Sequence, residues 1–333
     1  MARKILTLSA LLGASALVLA GCASTPGGDA TGDPDAVQVV ASTSVYGDIV
    51  SAIAGDAVEV TSIVSSTSQD PHSYEASAAD QLTISRADLI VENGGGYDSF
   101  VDALVEATGT DAHVLTAAEF SHDWPGGDGH DHAGEDDHDH AEEDDHAEGD
   151  EHAGHDHIEG FNEHVWYDPH TMEHLAEAIA DELTELVPSS AADFQSGLAA
   201  FVSDIGDLEA SLAEMSAAHE GDKVFVTEPV PLYLTAAAGL DNVTPEAFSE
   251  AVEEGQDVPP ATLLEATKIL DAGDVSAVIA NAQTGGAETT QVIQTAEAAG
   301  IPVIEFTEIL PDGKTYAEWM ADNIAALAEA LAS

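Results

Sequence analysis

The sequence has very little cysteine, very few basic side chains and no long hydrophobic run beyond its N-terminus. One cysteine, Cys22, occurs in 333 residues. A single cysteine excludes a disulfide within the chain and leaves no thiolate pair for a metal or redox site. Six Lys plus Arg stand against 64 Asp plus Glu, a formal net charge of −58. Such a chain repels nucleic acid and anionic lipid, so we expect neither as a partner.

The N-terminus has the pattern of an export signal. Two basic residues and a short apolar stretch precede "LAGC", which ends at Cys22. The stretch is shorter than the about 20 residues that a membrane span needs. The pattern resembles the lipobox of bacterial lipoproteins, which predicts a signal peptide over 1–21 and a lipidated Cys22. The alternative is an ordinary signal peptide with an incidental cysteine.

The remaining chain alternates short apolar runs with helical patterns. After a Gly- and Pro-rich tether over 22–36, runs such as "VQVVASTS" and "VEVTSIV" predict parallel βαβ units. A helical segment near 188–220 interrupts the alternation, which restarts at "KVFVTE". We therefore predict an α/β fold of two parallel-sheet lobes, 37–187 and 221–333, joined by a long rigid helix. A stiff connector predicts modest closure of the lobes.

Four side chains that can bind metal ions follow apolar runs in the two halves. They are His72 in "DPHSYEAS", His164 in "NEHVWYDP", Glu228 at the end of "KVFVTE" and Glu308 at the end of "PVIEFTE". Ligands of parallel α/β sheets bind beyond the carboxyl ends of the strands. Two imidazoles and two carboxylates would suit Zn²⁺, or Mn²⁺ if a carboxylate binds through both oxygens. Taken singly, each residue also fits a helix cap or a solvated turn.

Three further residues near His164 have two interpretations each. A metal-bound imidazole usually donates its other N–H to a carboxylate, and Asp168 is close enough in sequence to accept it. Asp168 equally fits the N-cap of a helix over 171–187. His170 and His174 lie at i, i+4 on that helix, where they could chelate a metal or simply face solvent.

Four segments together resemble the metal-binding lipoproteins of zinc and manganese ABC importers, also called cluster A-I solute-binding proteins. The segments are "DPHSYEASAAD", "NEHVWYDP", "VFVTEPVPLYLTAAAGL" and "IPVIEFTEILPDGKTYAEWMADNI". They span nearly the whole mature chain in the order that the family has.

The resemblance implies metal in a cleft between two lobes, with His72 and His164 as its first two ligands. Glu228 falls where many zinc-binding members have histidine and some manganese-binding members have glutamate. Glu308 replaces the aspartate that the family usually has. Zn²⁺ is the expected ion, with Mn²⁺ as the alternative.

An acidic, histidine-rich stretch over about 121–160 is also found in many zinc-binding members of that family. It has no apolar anchors that could offset the entropy of ordering it, so we expect disorder without metal. Imidazole favours zinc, copper and nickel, and we interpret the stretch as a low-affinity zinc collector. The alternative is a solvated spacer. Its histidines are His130, His132, His138, His140, His146, His152, His155 and His157.

These features predict a binding protein rather than an enzyme, since HExxH, GxSxG and Gly-rich phosphate motifs are missing from the sequence. We expect a monomer, lipid-anchored to the bacterial cell membrane on its extracytoplasmic side. Its expected role is to capture zinc and deliver it to an ABC permease and its ATPase. The alternatives are a manganese-specific protein of the same family and a surface zinc buffer or adhesin without transport.

Overall fold

The structure is a computed structural model that describes residues 36–126, 158 and 160–333. The predicted signal peptide, Cys22 and nearly all of the tether lie outside the described residues, as do the eight loop histidines from His130 to His157. The predictions made for them stay predictions. Within the described ranges, every helix is too short or too polar to cross a membrane.

The first half is a four-stranded parallel sheet in the order β2-β1-β3-β4. Its central strands β1 and β3 are buried, as their near-continuous apolar runs predict, whereas the edge strands β2 and β4 are only partly buried. The strands are β1 (Gln38–Thr43), β2 (Glu59–Val64), β3 (Leu89–Glu92) and β4 (His113–Thr116). The helices between them are α1 (Ser44–Ala54), α2 (Ala78–Ile84) and α3 (Phe100–Thr108).

Two consecutive helices connect this sheet to the second half. Helix α4 (Pro169–Leu186) starts at a proline, and the Asp168 carboxylate caps it by accepting from the His170 N–H. Helix α5 (Ala191–His219) has 29 residues and buries one stripe of apolar side chains. The prediction of one long connecting helix is thus met by α5.

The second half repeats the topology of the first, with a parallel sheet in the order β6-β5-β7-β8. Its strands are β5 (Lys223–Val226), β6 (Asp241–Asn242), β7 (Val275–Asn281) and β8 (Val303–Phe306). Its helices are α6 (Leu232–Ala237), α7 (Glu246–Glu253), α8 (Pro260–Asp271), α9 (Ala287–Ala299) and α10 (Tyr316–Leu331). The two parallel sheets confirm the predicted α/β class.

Three details differ from the sequence-based expectation. Helix α7 has no counterpart among the predicted helices, because eight residues are too few for a clear helical period. Helix α4 begins at Pro169 rather than at 171. Glu228 and Glu308 each lie two residues beyond the last residue of a strand, on the loop that follows it.

One hydrophobic cluster runs through both halves and includes residues of β1, α5, β5 and α10. The described residues from 36 onward accordingly belong to one compact unit. Hydrophobic packing therefore continues from one half into the other.

Gly197 lets α5 approach α1 at backbone distance. A Cβ built at Gly197 would lie 2.4 Å from the Ile53 carbonyl oxygen and 2.9 Å from that of Ala52. Backbone atoms cannot move aside as a side-chain end can, so any larger residue here separates the two helices.

We therefore expect Gly197→Ala to lower the free energy of unfolding by about 1–3 kcal/mol through overpacking. Gly206 lies on the same helix, and a Cβ there meets nothing within 4 Å. Gly206→Ala is the matched control and should raise stability by about 0.5–1 kcal/mol, because alanine loses less backbone entropy in a helix. Denaturant titration of both variants measures the difference. Equal effects of the two substitutions would contradict the close approach of α5 to α1.

Candidate metal site between the two sheets

His72 lies in the turn after β2, with its ring directed toward the second half of the molecule. Its backbone N–H donates to the Asp70 carboxylate at 2.9 Å, which fixes the turn. The ring packs edge-on against Tyr97, with centroids 4.7 Å apart. The ring of His164 lies 5.8 Å away, centroid to centroid. The two histidines predicted from separate motifs are thus neighbours.

His164 is completely buried, and its neighbour Asn162 decides which ring nitrogen is available. The Nδ1 of His164 lies 2.7 Å from the side-chain oxygen of Asn162. An amide oxygen only accepts, so Nδ1 carries the proton and Nε2 has the lone pair. That Nε2 lies 3.6 Å from Oε1 of Glu253, a residue of the second half of the molecule.

Glu308 faces His72 from the loop after β8. Its Oε2 lies 3.9 Å from the Nε2 of His72, and the side chain is 2% exposed. Its Oε1 accepts a hydrogen bond from Asn281 at 2.6 Å. Its Oε2 is buried and faces His72, and the Tyr97 hydroxyl also hydrogen-bonds to this carboxyl group. The protein therefore positions both sides of the Glu308 carboxyl group, with Oε2 on the side of the histidines.

Glu228 stands next to this group rather than within it. His72, His164 and Glu308 each place one ligand atom within 4.8 Å of the others. Glu228 accepts from Asn281 at 2.8 Å, and from the Thr284 hydroxyl. Asn281 thus holds both glutamates from the end of β7. The role of Glu228 as a metal ligand stays a prediction. To bind the ion, Glu228 would have to give up one of these hydrogen bonds.

Two further carboxylates, which were not predicted from the sequence, also reach the site. Glu253, the last residue of α7, places Oε1 3.6 Å from the Nε2 of His164. It also forms a group with His72 and Glu163 whose ligand atoms lie within 4.8 Å of one another. Glu163 directly precedes His164 in "NEHVWYDP" and could have been noticed there. Glu253 had no such signal, since its helix was not predicted.

The site therefore concentrates negative charge away from water. Glu163, Glu228 and Glu308 are at most 3% exposed, and the Glu253 side chain is 12% exposed. Every lysine and arginine among the described residues is at least partly exposed, and Lys223 and Lys314 pair with surface aspartates. Buried carboxylates without a counter-charge cost several kcal/mol each unless they bind a proton or a cation.

Burial makes these carboxyl groups hold protons. It raises the pKa of Glu308 to about 8, with the charges of Glu228 and Asp70 adding to the effect. It raises the pKa of Glu253 to about 9, again with help from neighbouring glutamates. The pKa of Glu228 is raised by burial as well. A divalent cation would displace these protons and supply the missing positive charge.

Hydrogen bonds across the cleft link each histidine loop to a glutamate loop. Gln283 donates to the Gln69 carbonyl at 3.1 Å and accepts from the backbone N–H of Glu308 at 2.6 Å. Asn162 donates to the Pro229 carbonyl at 3.2 Å, one residue after Glu228. The side chains from the two halves are therefore held in register by polar contacts.

The predicted role of Asp168 as hydrogen-bond partner of His164 needs correction. Asp168 caps α4 and accepts from the Thr171 hydroxyl at 2.6 Å, while Asn162 takes the position beside the His164 ring. The capping interpretation is the one that the structure shows. His170 and His174 lie further along α4, outside this site.

The α/β fold and the buried cluster of carboxyl groups and histidines together define a protein that binds a metal ion. The family model described as ZnuA, zinc-uptake complex component A, periplasmic, matches residues 39–330. The chain belongs to this family, the metal-binding solute-binding proteins of ABC importers. Membership confirms the resemblance stated above and the prediction of a binding protein rather than an enzyme.

Relatives with different metals in their names are similar to this chain. The manganese-binding lipoprotein MntA of Halalkalibacterium halodurans is 26% identical over 266 residues, covering 76% of this chain and 78% of that protein. The iron ABC transporter substrate-binding lipoprotein MtsA of Streptococcus pyogenes is 27% identical over 282 residues, covering 77% and 80%. The periplasmic zinc binding protein TroA from Treponema pallidum shares the fold, with a TM-score of 0.66 and 19% identity over 89% of this chain and 99% of that one.

The raised carboxyl pKa values predict how the stability of the metal-free protein depends on pH. In the unfolded chain these groups titrate near their ordinary pKa of about 4.3. Between that pH and pH 8–9, the folded state therefore binds more protons than the unfolded state does. Their contribution to stability is full below about pH 4.3 and is lost as pH rises through about 8 for Glu308 and 9 for Glu253. We expect the metal-free protein to become less stable from pH 5 to 8.

Glu308→Gln should flatten this pH dependence, because the amide stays neutral over the whole range. Glu214 is exposed on α5, and Glu214→Gln changes the net charge equally, which makes it the control for general charge repulsion. Thermal unfolding in chelator between pH 5 and 8 measures the slope. Identical slopes for the two variants would show that Glu308 is not the titrating group.

Proposed function

We propose that this protein captures zinc outside the cytoplasm and delivers it to an ABC permease and its ATPase for import. The observation that carries the proposal is a set of buried carboxyl groups beside two histidines, in a protein whose described lysines and arginines all lie at least partly at the surface. A divalent cation is the ligand that satisfies both the charge and the donor atoms of this set.

The proposed ligands are His72, His164, Glu308 and Glu228. The first three already lie within reach of one ion. Glu228 joins them when the ion displaces its hydrogen bond from Asn281 or Thr284. The Asn281 side chain keeps Glu228 close to the other ligands until then. Glu253 lies close enough to His164 to balance the charge of the bound ion.

Zinc is proposed over manganese on the balance of the donor atoms. Imidazole nitrogen is a better ligand for zinc than for manganese, and the eight histidines of the acidic stretch fit a zinc collector. Glu228 in place of a third histidine favours manganese. The names of the relatives cover manganese, iron and zinc. Competitive titration therefore has to identify the ion that this protein binds most tightly.

The structural setting of the site supports delivery rather than storage alone. We propose lobes over 37–187 and 221–333 joined by 188–220, with the ion held between loops of both lobes. Contacts such as Gln283 to Gln69 would break and re-form when the lobes separate slightly at a permease. We further propose a monomer held at the cell membrane by lipid on Cys22, with the histidine-rich stretch collecting zinc weakly.

Competitive titration with zinc and manganese tests the site. We expect one tight zinc site, and a loss of zinc affinity of at least about 100-fold in His164→Gln or Glu308→Gln, since even outer partners of a metal site are worth 10–100-fold. His113 is exposed and pairs with Glu182 at 2.8 Å, and His113→Gln is the control that should bind as the unmodified protein does.

Two results would overturn parts of this assignment. Manganese competing with zinc on equal terms would make the cargo manganese and Glu228 its determinant. Unchanged tight binding in both His164→Gln and Glu308→Gln would place the receptor site elsewhere.

Transport is tested in the cell that carries the protein. We expect deletion to stop growth in zinc-depleted medium and added zinc to restore it. Cys22→Ala should shift the protein from the membrane fraction to the soluble fraction, because the acyl anchor is lost. The His164→Gln variant is the control for binding and should fail to restore growth although it is exported. Normal growth of the deletion strain would favour the surface buffer or adhesin.

A further inference from the structure

His170 and His174 form a close pair on the solvent side of α4, apart from the cleft. Their Nε2 atoms lie 3.3 Å apart and their ring centroids 4.7 Å apart. Two nitrogens bound to one tetrahedral zinc at about 2.0–2.1 Å each lie about 3.3–3.4 Å from one another. The spacing of the two Nε2 atoms is therefore that of a chelating pair.

The other ring nitrogens face carboxylates. The Nδ1 of His170 lies 3.7 Å from Oε1 of Glu209, on α5. The Nδ1 of His174 lies 3.5 Å from Oε2 of Glu177, one turn further along α4. Metal-bound histidines usually direct their second N–H to a carboxylate, which fixes the tautomer and the ring orientation. Both rings of the pair have this arrangement.

Additional oxygen ligands are close by. His170, Glu173 and Glu209 each place one ligand atom within 4.8 Å of the others. The segment 170–174 reads HTMEH, a His-x-x-Glu-His pattern that supplies two zinc ligands from one helix face in some zinc hydrolases. Here the His170 side chain is 58% exposed, so the pattern offers ligands without an enclosed pocket for catalysis.

We propose that His170 and His174 chelate a divalent cation of the zinc class through their Nε2 atoms, with Glu209 and Glu177 orienting the two rings. Water and the nearby Glu173 carboxylate complete the coordination. Because Glu209 belongs to α5, the bound ion also links α4 to the connecting helix. Two imidazoles on an exposed surface make this a weaker site than the cleft, and none of its residues is shared with the cleft.

Residue-resolved chemical modification of the intact chain tests this site. Diethyl pyrocarbonate acylates accessible histidine nitrogens, and mass spectrometry reports each histidine separately. We expect zinc to protect His170 and His174 together, over one concentration range. His113, exposed and paired with a single carboxylate, should react at the same rate with and without zinc.

Three variants make the test decisive. His170→Gln should abolish zinc protection of His174, and Glu209→Gln should raise the zinc concentration needed for protection about tenfold. In His164→Gln the protection should persist, because the cleft is not involved. Unchanged reactivity of His170 and His174 in zinc would overturn the proposal, and so would protection of His174 that survives His170→Gln or disappears in His164→Gln.

Discussion

A cluster of buried carboxyl groups, with histidines but no lysine or arginine of the described chain buried beside it, is the constraint on which the site depends. Glu163, Glu228 and Glu308 are buried and Glu253 nearly so, and the lysines and arginines of the described chain remain at the surface. Such a cluster is tolerable only when the carboxyl groups hold protons or when a cation takes their place. Burial raises the pKa of Glu308 to about 8 and that of Glu253 to about 9, which favours the first solution in the metal-free protein. Metal binding is the exchange of those protons for an ion.

The surrounding fold keeps this unfavourable cluster in place. Two sheets of the same strand order direct the carboxyl ends of their strands toward one cleft. A hydrophobic cluster shared by both halves and the close contact of α5 with α1 limit how far the halves can separate. Amide side chains, notably Asn162, Asn281 and Gln283, then position individual donor atoms without adding charge. Neutral amides are suited to this role because lysine or arginine would neutralise the site and compete with the cation.

The sequence was sufficient for the fold class and for the proximity of His72, His164 and Glu308. Each of these follows a strand or a short motif, and the carboxyl ends of parallel strands converge by geometry. Glu253 was out of reach because its position near His164 depends on how the short helix α7 packs, which no local period reveals. For Asp168 the sequence left two interpretations open, the hydrogen-bond partner of His164 and the N-cap of α4, and the structure shows the cap. Long-range packing and competing local roles, rather than missing motifs, limited the prediction.

The most direct measurement is diffraction from zinc-loaded crystals at wavelengths on either side of the zinc absorption edge. We expect an anomalous peak bonded to Nε2 of His164, Nε2 of His72 and Oε2 of Glu308, with Glu228 turned toward the ion. A cleft without an anomalous peak in crystals of protein that has bound zinc would contradict it. The carboxylate cluster would then need a different counter-charge.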